Sequence, residues 1–69
     1  MATDYQMNWS QQDFITFINK LEKKGWLLVH FYARLHTLYY TLVKPNRKIQ
    51  IAYNTNIETQ WITLYSRRP

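Results

Sequence analysis

A single glycine, Gly25, divides the sequence into two stretches with different hydrophobic periods. Before it, Phe14, Phe17, Ile18 and Leu21 recur at the spacing of one helix face. After it, apolar and polar residues alternate, as a half-buried strand requires. A chain of 69 residues has room for one core, so helix and strands must share it. The expected fold is α+β: one N-terminal helix packed on a small antiparallel sheet of three to four strands, in a single domain over 1–69.

The helix ends are written locally. Ser10-Gln11-Gln12-Asp13 places a capping hydroxyl three residues before a carboxylate. Lys23 and Lys24 suit the negative end of the helix dipole, and Gly25 accepts the left-handed backbone that stops a helix. These signals predict a helix over 10–24. Residues 1–8 are polar without a clear period and are expected to form an N-terminal arm or a short extended lead-in.

The sheet is expected over 26–66, as a meander. In Trp26 to Arg34, alternation sends Leu27, Val29, Phe31 and Ala33 toward the core and Trp26, His30, Tyr32 and Arg34 outward. Arg34 to His36 reverses the chain into Thr37–Val43, a run of β-formers. Pro45-Asn46-Arg47 is a turn, because proline presets the first turn angle and asparagine tolerates the left-handed region. It returns the chain into Lys48–Tyr53, with Ile49, Ile51 and Tyr53 inward. After a turn at Asn54–Asn56, the last segment reads two ways. Ile57, Trp61 and Leu64 fit a helix face behind a Thr55–Glu58 capping box, whereas Trp61-Ile62-Thr63-Leu64-Tyr65 has strand propensity, which is favoured.

Composition narrows the function. With no cysteine there is no disulfide framework, thiolate metal site or cysteine nucleophile. No apolar run approaches a bilayer span and the N-terminus lacks the form of a signal peptide, so the expectation is a soluble, cytoplasmic chain without a membrane partner. Nine Lys and Arg against four Asp and Glu leave a net charge of +5, which favours polyanionic partners. Ile, Leu, Val and Phe already supply the eighteen residues a core this small can hold, so several of the six Tyr and three Trp must lie at the surface.

The meander makes a spatial claim. It gathers Lys23, Lys24, Lys44, Arg47, Lys48, Arg67 and Arg68 at one end and leaves Asp13 and Glu58 at the other. Trp26, Tyr32 and Tyr39 lie on the outer sheet face beside them, with Lys48 and Gln50. Rings interleaved with cations suit a phosphate backbone and its bases, so the expected partner is RNA or DNA. The same surface suits a compact inhibitor or adaptor docking on an acidic protein, and a flat face or bare edge strand also suits a second copy in a homodimer. The carboxylates are scattered and the spacing of His30 and His36 matches no metal site, so neither catalysis, metal nor cofactor is expected.

Lys20-Leu21-Glu22-Lys23-Lys24-Gly25-Trp26, followed by a strand, His36, another strand and Arg47-Lys48-Ile49-Gln50-Ile51, resembles the HicA-type mRNA interferase toxins. These are small α-β-β-β-α domains similar to double-stranded-RNA-binding folds. The resemblance covers about Phe14 to Ile51. It implies a role for His36 in RNA cleavage. Apart from the family, the chemistry such a histidine would perform is general-base attack of a ribose 2′-hydroxyl on its phosphate, with Arg34 or Lys44 offsetting the developing charge. The turn Ala33-Arg34-Leu35-His36 lacks the glycine that the family carries there.

Overall fold

The computed structural model describes residues 1–66. Six elements follow in order: β1 (Ala2–Met7), α1 (Gln11–Lys23), β2 (Leu27–Arg34), β3 (Thr37–Lys44), β4 (Arg47–Asn54) and β5 (Thr59–Ser66). The strands form one antiparallel sheet in the order β1-β5-β4-β3-β2. The sheet therefore has five strands rather than three or four, and the last segment is a strand.

The extra strand comes from residues 1–8, expected as an arm. β1 pairs with β5 from Ala2–Tyr65 to Met7–Gln60. A short polar segment has little reason to be extended by itself. It becomes a strand because β5 presents a row of N–H and C=O groups that need partners. Gln60 fixes the junction between β1 and α1. Its side chain is fully buried, accepts from the Trp9 N–H at 2.9 Å and donates to the Trp9 carbonyl at 2.9 Å.

α1 starts and stops where its caps lie. The Ser10 hydroxyl accepts from the Asp13 N–H at 3.2 Å. At the other end, Gly25 N–H bonds the Glu22 carbonyl and Trp26 N–H the Leu21 carbonyl, each at 3.1 Å. Gly25 has φ +95°. This pair of bonds is a Schellman motif, whose usual apolar contact joins the residues at the positions of Trp26 and Leu21. Trp26 is accordingly buried, 5% exposed, instead of standing on the outer face as its place in the alternation suggested.

One sheet face packs on α1. Leu42, Ile49, Ile51, Tyr53 and Ile62 are buried there beneath Phe14 and Leu21. Phe14 sits between Tyr40 and Tyr53, at ring-centroid distances of 5.3 and 4.7 Å. β2 departs from the expected register. A bulge at Val29 lets Leu28 face Leu42 and His30 face Thr41, so Leu28, Phe31 and Ala33 share the helix side while Leu27 stands outward beside Val43. No β2 residue is buried, because this edge strand lies beyond the cover of the helix.

The reversals follow their turn chemistry. Asn46 takes φ 63° after Pro45, as that turn requires. Residues 55–58 form a turn, not the start of a helix: the Asn54 side-chain oxygen accepts from the Asn56 and Ile57 N–H groups. No helix among the described residues is long and apolar enough to cross a membrane.

Candidate nucleic-acid interface

The antiparallel order brings the end of α1, the end of β3, the start of β4 and the end of β5 to one end of the sheet. Lys44 Nζ lies 5.6 Å and Arg47 Cζ 5.4 Å from the Trp26 ring, so two cations from facing strands stack on one indole. Lys24 joins them at the rim of an apolar groove of about 390 Å³ between α1 and the β1–β5 side of the sheet. Lys48 points to the opposite face, with Nζ 4.7 Å from the Tyr65 ring. A depression of about 500 Å³, lined by Lys44, Asn46, Arg47, Lys48 and Tyr65, wraps the sheet end and joins the two groups. Lys23 is exposed in the last turn of α1. Arg67 and Arg68 lie outside the described residues.

Among the described residues, no helix lies over the outer sheet face. Register places Trp61, Ala52, Tyr39 and Tyr32 in one row across β5, β4, β3 and β2. Tyr32 and Tyr39 stack, with centroids 4.7 Å apart and planes 18° apart. Ala52 is the small residue of the row, and it leaves a dip between Trp61 and Tyr39. Their strands stand two spacings apart, about 9 to 10 Å, which is wide enough for a flat ring between them. The dip, about 320 Å³, also has Gln50, Thr41, Thr63 and His30 along it, which supply hydrogen-bond donors and acceptors. Lys48 and Tyr65 occupy the same face, four residues along the strands toward the basic end, or about 13 Å.

The expected outer-face residues Tyr32, Tyr39, Lys48 and Gln50 thus stand together, and Trp26 does not join them. Trp61 and Tyr65 are not among the residues expected at the site. Strand propensity over 61–65 carried a signal for them, but only the register with β4 shows that they share the face of Tyr39.

Among the described residues, no carboxylate lines the dip, the end depression or the groove. Among the described residues no cluster of His, Cys, Asp and Glu is arranged to hold a metal ion. His36 occupies the β2–β3 turn after Leu35, which holds φ 54° where glycine is usual, and its carbonyl accepts from the Thr55 N–H and hydroxyl. Comparison with protein families, curated proteins and solved structures gives no match for this chain.

Proposed function

We propose that this protein is a small nucleic-acid-binding module that holds a single strand across the outer sheet face. The observation that carries the reading is continuity. A basic sheet end, with no carboxylate among its described lining residues, leads through Lys48 and Tyr65 into a row of rings with one ring-sized dip. Phosphates meet Lys44, Arg47 and Lys48, which supply sequence-independent affinity by releasing counterions. One base enters between Trp61 and Tyr39, above the amide of Gln50 and the hydroxyls of Thr41 and Thr63. A duplex keeps its bases stacked on each other and does not offer one to such a dip, so the module prefers unpaired strands.

Fluorescent single-stranded and double-stranded oligonucleotides, titrated at two salt concentrations, test the reading. Single strands are expected to bind more tightly, with affinity that falls steeply as salt rises. Trp61→Ala is expected to weaken binding by about 1 to 3 kcal/mol, the worth of one stacked base. Absence of any binding below about 100 μM at roughly 50 mM salt removes nucleic acid as the partner and leaves the aromatic face to an acidic protein.

A further inference from the structure

β2 has the sequence of an inner strand and the position of an edge strand. Inner strands are apolar toward both faces, and edges are normally defended by charge, proline or brevity. β2 is eight residues long and shows Leu28 and Phe31 on the helix side and Leu27 and Tyr32 on the other. Val29 is 57% and Phe31 49% exposed. The helix adds to this surface. Phe17 leans to the β1 side against Trp9, at 4.7 Å, so the opposite flank of α1, with Ile15 and Ile18, lies toward β2. Exposed apolar side chains of α1 and of the open edge therefore share the helix side of the sheet.

Among the described residues, the backbone of that edge is also unpaired. The two-residue turn after Arg34 makes Arg34 and Thr37 a hydrogen-bonded pair, so Tyr32 and His30 bond to β3 in the same phase. Phe31 and Ala33 consequently aim their N–H and C=O groups away from the sheet.

From this we infer that two copies of the chain pair antiparallel through β2, forming one ten-stranded sheet. The dyad falls at Tyr32, because the Val29 bulge confines regular pairing to His30–Arg34. Phe31 of each copy then exchanges both backbone bonds with Ala33 of the other. Several observations select a second copy as the occupant. The segment is self-complementary in this register, with each Arg34 opposite His30 and the two Arg34 side chains apart. Antiparallel pairing also sends the two basic ends to opposite ends of the dimer, where their charges repel least. The other sheet edge, β1, presents Asp4 and Gln6 on its outer side, so the association closes as a twofold dimer and does not extend into a filament. On the helix side, Phe31 of each copy packs on Ala33 of the other across the dyad. On the other side Tyr39, Tyr32 and their dyad mates form one aromatic band. The inference does not depend on nucleic-acid binding.

Sedimentation equilibrium of the full chain up to about 100 μM is expected to give twice the chain mass. Ala33→Pro removes an N–H that bonds only across the dyad, a place where edge strands tolerate proline. Phe31→Lys installs the charge that natural edges carry. Both variants are expected to keep the far-ultraviolet circular dichroism of the wild type and to sediment as monomers. In this cysteine-free chain Tyr32→Cys is expected to form an interchain disulfide under mild oxidant well ahead of Leu35→Cys, which lies in the exposed turn. A monomeric wild type, a folded variant that stays dimeric, or equal crosslinking of the two cysteine variants overturns the inference. A dimer that binds no oligonucleotide overturns only the functional reading.

Discussion

Tyr53 concentrates much of the core chemistry in one side chain. Its ring packs against Phe14, and burial raises the pKa of its hydroxyl, with Glu58 adding to the effect. Burial likewise raises Tyr40, which Tyr53 then pushes further in the same direction. Both shifts favour the neutral phenol in the folded state. The unfolded chain releases these protons near pH 10 while the folded chain still holds them, so the stabilisation is complete below pH 10 and is lost as pH rises beyond it. Thermal melts between about pH 8 and pH 11.5 are expected to show a fall in Tm starting near pH 10, less steep in Tyr53→Phe. Identical alkaline slopes in the two proteins would contradict this. That Tyr53 points inward could be read from its alternation with Ile49 and Ile51. That Trp26 does so could not, because its burial depends on the Schellman bonds rather than on strand parity.

Between elements, Gln60 determines more than its single position suggests. A polar side chain shielded from solvent is tolerated here because both ends of its amide bond Trp9, and Trp9 links β1 to α1. Gln60→Leu keeps similar bulk and orphans the half-buried Trp9 N–H and C=O, a loss of at most about 1 to 3 kcal/mol for each group left unpaired. Urea denaturation is expected to show a lower midpoint for Gln60→Leu, while Gln50→Leu on the outer face changes stability by about 0.5 kcal/mol or less. Equal shifts for the two variants would mean that the Trp9 clamp contributes nothing. Nothing in the sequence marks Gln60 as special: it falls on the inward parity of β5, but its partner lies 51 residues away.

At the scale of the whole molecule, the fold gathers cations at one end of the sheet, with Glu22 beside them in the last turn of α1 and Arg34 at the opposite end. Lys24, Lys44, Arg47 and Lys48 stand at one end of the sheet, and Glu58 lies in the turn at the other. Replacing Lys44 and Arg47 together by Ala is expected to weaken oligonucleotide binding and to flatten its log–log salt dependence by about one for each phosphate no longer neutralised. The same double variant strips two cations from the Trp26 ring, a stability loss of about 0.5 to 1 kcal/mol for each exposed pair. An unchanged salt slope would exclude this end of the sheet as the place where phosphates bind. The gathering of these residues could be read from the sequence, since up-and-down strands of similar length return their turns to the same two ends. Their division between the groove side and the outer face could not, because parity along β3 and β4 separates Lys44 and Arg47 from Lys48.

Features that depend on a few neighbours in the chain were determined by the sequence itself: the helix with its Ser10 cap and Gly25 stop, the inward alternation of Ile49, Ile51 and Tyr53, and the Pro45–Asn46 turn. Each rests on a steric or hydrogen-bonding preference satisfied within a few residues. The tertiary structure decided what depends on a remote partner. Residues 2–7 are a strand only because β5 offers them an edge, and 59–66 are a strand because β4 and β1 hold both their sides. The bulge at Val29 and the burial of Trp26 overturn a simple alternation through packing against β3 and α1. Trp61 faces Tyr39 across Ala52 only because the β3–β4 and β4–β5 registers align them. A backbone group or ring can be satisfied equally well by many partners of the right type, and only the packed arrangement of all the elements selects one.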